Sequence, residues 1–248
     1  MTYCLSLKCH EGLVFLSDSR TSAGVDNVTI HSKMRVFELR GHRVFCLMSS
    51  GNLSITQSVI SLIERDIEMG REDPHLDTLL NRTNFLETVH YVGQRLREVR
   101  RMHAEALDRA GISFNSNFIL GGQIEKHPPE IYQIYPEGNA IHASSESPFL
   151  QIGELKYGKP ILDRVFTSRT TLAEAAKLGL LSLDATARSN LSVGTPFEML
   201  AYRVDSLEVR HRIKFEENDP YLRMVCDRWQ EGLIQLVHNI PELDVLKQ

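Results

Sequence analysis

The second residue of the chain, Thr2, is the first candidate for chemistry because it directly follows Met1. The threonine side chain is small, so we expect an aminopeptidase to remove Met1 and leave Thr2 with a free α-amine. An alkyl alcohol is a poor nucleophile until a base takes its proton, and an adjacent α-amine can be that base. The ordinary pKa of an α-amine, about 7.7–8.0, is close to neutral, so a nearby positive charge favours the unprotonated form.

Two charged residues and one turn could support that nucleophile. Asp18 ends the second predicted strand, so a hairpin would place it near Thr2. Lys33 precedes the next strand, from which its ammonium group can reach Asp18 and lower the pKa of the Thr2 hydroxyl and amine. Gly51 lies where a strand passes into a helix, and backbone N–H groups at such a junction suit an oxyanion hole. Each feature alone is equally compatible with a solvated strand end, a surface lysine or a helix cap.

Hydrophobic periodicity predicts the elements that must position these residues. Period-two alternation and turn signals predict strands over 2–9, 13–17, 34–39, 44–48, 117–124, 130–135, 140–143, 197–205 and 208–215. Helical spacing predicts helices over 53–67, 84–110, 160–166, 171–190 and 220–238. The polar segment 19–32 is predicted to be a loop, and no strand of adequate length is predicted directly before Gly153.

Runs of strands that alternate with runs of helices favour an α+β fold over a parallel βαβ fold. We expect a four-layer αββα sandwich, with two stacked antiparallel sheets and a pair of helices on each outer face. The sequence has no linker, repeat or shift in composition, so residues 1–248 are predicted to form a single domain.

The composition argues against several functional classes. The chain has 248 residues, of which 42% are hydrophobic and 24% charged, with a net charge of -4. These values are typical of globular proteins and favour neither a nucleic-acid nor a membrane partner. No apolar run approaches the ~20 residues of a membrane span, and no signal peptide is recognisable, so we expect a cytoplasmic protein. The 4 cysteines have no metal-binding spacing and are predicted to be buried free thiols.

Taken together, these features resemble the N-terminal-threonine hydrolases of the proteasome β-subunit superfamily. The resemblance is carried by Thr2, the segment DSRTSAG at 18–24, Lys33 and the Gly51 turn, in the family's order and nearly its spacing. Within that superfamily the chain is most similar to the Anbu group of bacterial proteasome-type proteins. The MTYC opening without a propeptide and the segments FLQIGE and KYGKP carry this closer likeness.

The resemblance implies a role for each matched residue. Thr2 would be the nucleophile with its own amine as base, directly or through a water. Asp18 would hold Lys33, Lys33 would tune the pKa of the nucleophile, and the Gly51 N–H would bind the oxyanion. Two serines would line the substrate cleft, the first of them pairing with the substrate backbone: Ser22 and Ser49.

The supporting residues depart from the proteasome pattern. Glu154 stands where β-subunits carry a serine in a Gly-Ser-Gly turn. In the later Asp-x-x-Ser-Gly-Gly motif, Ser189 replaces the aspartate and Ser192 is kept. Arg20, within the 18–24 signature, completes this implied supporting set. Glu154 could either handle protons or serve a structural role.

These features predict a threonine-type endopeptidase that cleaves amide bonds through an acyl-enzyme on Thr2. The resemblance implies a homo-oligomer, either a ring or an open helical stack of rings, and implies no metal or organic cofactor. The substrate would be a peptide or protein, and the sequence does not indicate whether an ATPase assists. Two alternatives stay open: a non-proteolytic amidase or isopeptidase on the same fold, and a ring-forming scaffold with little activity.

Overall fold

The computed structural model describes residues 2–22 and 28–244. The strands are β1 (Tyr3–Cys9), β2 (Gly12–Asp18), β3 (Arg20–Ser22), β4 (Val28–Ile30), β5 (Met34–Leu39), β6 (Arg43–Gly51), β7 (Ser116–Ile124), β8 (Glu130–Ile134), β9 (Ala140–His142), β10 (Phe149–Gly153), β11 (Phe197–Arg203) and β12 (His211–Phe215). The helices are α1 (Leu53–Met69), α2 (Phe85–Arg109), α3 (Lys159–Val165), α4 (Leu172–Ser189) and α5 (Pro220–Asn239). Within the described residues, none of these helices has the length and apolar character needed to span a membrane.

Two five-stranded antiparallel sheets form the centre of the molecule. The first has the order β10-β1-β2-β11-β12 and the second the order β5-β6-β7-β8-β9. In the first sheet, Cys4 pairs with Ser17 and Phe197 with Asp18, so the end of β2 lies between β1 and β11. This register brings Asp18 to the beginning of β1, as the hairpin prediction required.

Three apolar clusters define four layers. The cluster between the sheets joins residues such as Phe15 and Tyr202 from the first sheet to Met48 and Ile119 from the second. A second cluster packs α3, α4 and α5 on the outer face of the first sheet. A third packs α1 and α2 on the outer face of the second sheet. The predicted αββα sandwich is therefore confirmed, and the chain has an α+β fold.

Local sequence signals account for the helix boundaries. The side chains of Asn52 and Asn84 accept hydrogen bonds from the first turns of α1 and α2. Thr171 forms a capping box with Glu174 at α4, and Asp219 caps α5 directly before a proline. Each such cap stabilises a helix by about 1 kcal/mol, which explains why these boundaries were predictable.

The structure corrects the sequence prediction in three places. Segment 19–32, predicted to be a loop, contains the short paired strands β3 and β4. Segment 149–153, to which no strand was assigned, forms β10 and pairs with β1 at the edge of the first sheet. The outer face of that sheet carries three helices instead of a pair, because α5 buries Leu222 and Cys226 in the same cluster as α3 and α4. No local pattern marked these three short strands, and their pairing with neighbouring strands defines them.

Candidate active site

The main chain around Thr2 is held from both sides. The Thr2 carbonyl oxygen accepts a hydrogen bond from the Glu154 N–H at 2.7 Å, and the Tyr3 N–H donates to Asp18 Oδ1 at 2.9 Å. Gly153 has a φ of 90°, and a Cβ at this position would lie 2.0 Å from the Thr2 carbonyl oxygen. Glycine therefore permits β10 to approach the N-terminal residue. The predicted removal of Met1 lies outside the described residues.

Asp18 and Lys33 form a buried ion pair behind Thr2. Lys33 Nζ lies 2.6 Å from Asp18 Oδ1, with side-chain exposures of 7% and 0%. The ammonium group also donates to the Arg20 carbonyl oxygen at 2.7 Å. Burial raises the pKa of the Asp18 carboxyl, while Lys33 and the backbone N–H groups of Tyr3 and Gly194 act in the opposite direction. Asp18 and the Arg20 carbonyl oxygen therefore fix the position of the Lys33 ammonium group.

Gly51 closes strand β6 in a conformation that other residues rarely adopt. Its φ is 106°, and a Cβ there would lie 2.0 Å from the Asn115 carbonyl oxygen. The next residue, Asn52, donates its N–H to that same oxygen at 2.9 Å before capping α1. Two residues earlier, the Ser49 N–H donates to the Lys33 carbonyl oxygen at 3.0 Å. The strand-to-helix junction is thereby tied to the segment that carries Lys33.

Thr2 lies where two adjoining cavities meet. The first has a volume of about 70 Å³ and the second about 260 Å³. Both are lined by the same four residues: Thr2, Thr21, Ser50 and Gly51. Lys33 and Ser49 line the first cavity, whereas Gly153 lines the second. This arrangement brings the predicted nucleophile, cation and oxyanion turn to one cleft.

Asn190, which the sequence analysis did not identify as a site residue, links two of the supporting residues, Glu154 and Ser192. Asn190 donates from Nδ2 to Glu154 Oε2 at 3.0 Å, and its Oδ1 accepts from the Ser192 N–H at 3.0 Å. The other Glu154 oxygen accepts from the Lys156 N–H at 3.0 Å. Ser189 lies at the exposed last residue of α4. Asn190 stands inside the altered 189–194 motif, which was the available signal for its importance.

Arg20 connects the first signature to the loop after α4. Its Nη1 donates to the Leu191 carbonyl oxygen at 3.3 Å, and its guanidinium group packs against Gly194. Ser22 is the last residue of β3, and the structure does not describe its side chain. The remaining signature residues at 23–24 also lie outside the described residues.

A second buried carboxylate, Glu198, was not predicted. Its Oε1 accepts from Ser19 Oγ at 3.1 Å, and its Oε2 accepts from Ser32 Oγ at 3.0 Å and from Arg212 Nη2 at 2.7 Å. Ser19 directly follows Asp18, and Ser32 directly precedes Lys33. One carboxylate therefore holds the neighbours of both members of the ion pair. Ser19 and Ser32 are each more than 160 positions away from Glu198 along the chain, so no local pattern could have indicated these two contacts.

Comparisons with known proteins identify the family to which this fold and sequence are similar. The family model for proteasome subunits matches residues 2–201. The structure of Anbu from Hyphomicrobium sp. strain MC1 is 43% identical and has a TM-score of 0.89, covering 98% of this chain and 99% of its own. Anbu, the ancestral beta-subunit, from Yersinia bercovieri is 39% identical with a TM-score of 0.89, and 98% of each chain is covered.

A third structure was solved as a helical assembly of the Anbu complex from Pseudomonas aeruginosa. It is 38% identical with a TM-score of 0.90, and the match covers 99% of this chain and 100% of that one. No curated protein matches the chain at a significant level. The family match spans most of the sequence, and the structural likeness extends over nearly all of it. The chain therefore belongs to the proteasome subunit family, as an Anbu-type proteasome-like protein.

Proposed function

We propose that this protein is a threonine-type peptidase whose nucleophile is Thr2 after removal of Met1. One observation supports this function most directly. Lys33, held by Asp18 at 2.6 Å, lines the same cavity as Thr2 and Gly51. A cation beside a hydroxyl and an amine favours the alkoxide and the neutral amine, which are the reactive forms.

The reaction proceeds through an ester on Thr2. The hydroxyl oxygen attacks the amide carbonyl carbon while its proton passes to the α-amine of the same residue. The Gly51 N–H donates to the carbonyl oxygen as negative charge develops on it. When the C–N bond breaks, the leaving amine takes the proton from the α-ammonium group. Water then attacks the ester carbonyl carbon and gives a proton to the α-amine. When the ester bond breaks, the acid is released and the Thr2 oxygen takes that proton back, which restores the hydroxyl and the neutral amine.

The surrounding residues have supporting roles in this proposal. Ser49 lines the substrate cleft, Ser22 is assigned the pairing with the substrate backbone that the family resemblance implies, and Arg20 holds β3 against the loop that follows α4. Glu154 orients the main chain of Thr2 and is itself oriented by Asn190, with Ser192 on the same network. The contacts of Glu154 favour a structural role over proton transfer, since both of its carboxylate oxygens accept hydrogen bonds from neighbours.

Three wider properties complete the proposal. The helical assembly of the Pseudomonas aeruginosa relative supports a homo-oligomer, open or closed. Residues 1–248 act as one catalytic domain, since the cluster between the sheets draws on strands from β1 to β11. A cytoplasmic location fits four free cysteines, because oxidising compartments favour disulfides.

The decisive experiment is intact mass spectrometry with a peptide epoxyketone that cross-links the hydroxyl and the amine of an N-terminal threonine. We expect loss of Met1 and an adduct that maps to Thr2. The variant Thr2→Ala should give no adduct, whereas Thr170→Ala, which removes a threonine hydroxyl before α4, should react like the wild type. Retention of Met1, or a mature Thr2 that never reacts, would contradict a peptidase and favour the scaffold. An adduct combined with turnover of isopeptides but not peptides would favour the amidase.

A further inference from the structure

The cavity beside Thr2 is lined mainly by basic and polar side chains. Among the described residues that line it are His31, Lys33 and Arg35, and no carboxylate is among them. Lys33 is already paired with the buried Asp18 carboxylate, and in the proposed mechanism it acts on Thr2. Among the described residues of this lining, Arg35 on strand β5 is the other side chain that is always protonated.

Arg35 has only weak partners within the chain. Its Nε lies 3.9 Å from Glu64 Oε1, and the two side chains are 43% and 52% exposed. Its Nη1 donates to the carbonyl oxygen of the adjacent Met34 at the long distance of 3.5 Å. An exposed ion pair of this length contributes under about 1 kcal/mol, so a better-placed carboxylate can displace Glu64. A guanidinium group has five N–H donors in a planar fork, and most of them stay available.

The rest of the cavity suits a short polar side chain. Its volume of about 70 Å³ holds a few water molecules. Ser49 and Gln57 contribute polar groups to its lining, and Leu53 and Ile60 contribute apolar groups. Leu53 is also the first residue of α1, and the helix N-terminus adds a partial positive charge. A lysine or arginine side chain would meet the like charge of Arg35.

We propose that Arg35 makes the enzyme selective for substrates with a carboxylate side chain, Glu or Asp, on the residue whose carbonyl is attacked. This inference rests on the proposed function of Thr2. In this proposal the side chain next to that carbonyl enters the first cavity, which is lined by Lys33 and Arg35, and not the adjoining cavity lined by Asn115, Asn117 and Gly153. The carboxylate then forms a charge-assisted pair with the guanidinium group in a partly enclosed site, where such pairs are stronger than on the surface.

The test uses two peptide epoxyketones that differ only in carrying Glu or Gln beside the reactive group. The two side chains have the same shape, so the ratio of their rates of Thr2 modification isolates the charge. We expect the Glu probe to react about tenfold faster, as for one charge-assisted hydrogen bond. In Arg35→Met, which keeps the aliphatic stem, the ratio should fall to about one, following loss of that bond. The control Arg101→Met, at an exposed position on α2, should leave the ratio unchanged.

Each outcome separates the two proposals. If no probe modifies wild-type Thr2, the peptidase proposal fails and this inference falls with it. If both probes react at equal rates, or if Arg35→Met keeps the preference for Glu, the peptidase proposal stands and the role of Arg35 is wrong. Added salt gives a second measurement on the wild type, independent of any variant. The Glu preference should decrease as salt increases if it is electrostatic, and an unchanged preference would also overturn the inference.

Discussion

Two buried carboxylates, Asp18 and Glu198, hold the residues that surround Thr2, and each has its own set of partners. Asp18 binds the Lys33 ammonium group directly, and burial alone would favour its neutral form by raising its pKa. Glu198 instead holds the hydroxyl groups of Ser19 and Ser32, which flank that pair in sequence, and binds Arg212. Buried carboxylates persist in proteins only when such donors compensate their lost hydration. The Glu198 network is therefore a structural support for the cleft.

We expect Glu198→Ala to lower the free energy of unfolding by about 2–3 kcal/mol, because it leaves two hydroxyl groups and a guanidinium group without their buried acceptor. The matched control is Glu216→Ala, which removes an exposed partner of Lys214 at 2.7 Å. That change should stay within about 0.5 kcal/mol. Urea denaturation of both variants measures the difference. Equal losses would mean that the Glu198 contacts do not contribute net stability.

At the level of elements, the position of Thr2 depends on an edge strand. β10 pairs with β1 so that Tyr3 lies opposite Gly153, and the Glu154 N–H directly beyond this pair binds the Thr2 carbonyl oxygen. The approach is close because Gly153 has no side chain and a φ of 90°. Although β10 has only five residues, it therefore fixes the main-chain position of Thr2.

Gly153→Ala should cost at least about 3 kcal/mol and also slow modification of Thr2, because the added methyl group overlaps the Thr2 carbonyl oxygen. Gly41→Ala is the matched control. Its φ is 78°, and a Cβ added there would meet no described atom within 4 Å beyond the chain neighbours, so only the backbone penalty of about 1–2 kcal/mol applies. Urea denaturation and the rate of epoxyketone labelling report the two effects. If the two variants behaved alike, the close approach of β10 to Thr2 would not matter.

For the whole molecule, two of the three apolar clusters contain all four cysteines as free thiols: the cluster between the sheets and the cluster under α3, α4 and α5. Burial raises the pKa of Cys4 and Cys46, and it raises the pKa of Cys226 to about 12. Cys9, at the end of β1, is shifted in the same direction by its burial. The thiolate is the reactive form, so a raised pKa and lack of access both suppress reaction. The prediction of buried free thiols is confirmed.

The folded protein should therefore react slowly with a thiol reagent at mildly alkaline pH, and all 4 thiols should react rapidly in guanidinium chloride. Ser145→Cys adds a thiol at an exposed position and provides the control for reagent activity. That variant should show one fast equivalent in the folded state. Rapid reaction of a native cysteine without denaturant would indicate local opening of the cluster that contains it.

Local sequence patterns were sufficient to predict most of the elements and to select the candidate residues. The spacing of apolar residues predicted the long helices α1, α2 and α4 and most strands, because burial of one face leaves a local period. Capping residues such as Asn84 and Thr171 marked helix boundaries through contacts within four residues. Thr2, Asp18 and Lys33 were selected by type and order, and their catalytic roles stay a prediction.

The contacts between distant segments could be identified only in the folded chain. Asn190 as the partner of Glu154, and Glu198 between Ser19 and Ser32, join segments far apart along the chain. Local periodicity reports that a segment is buried and carries no information on what it is buried against. The pairing of β10 with β1 is defined for the same reason by the sheet edge it completes. The cavity beside Thr2, with Arg35 on its wall, exists only once β5, β6 and α1 have packed together.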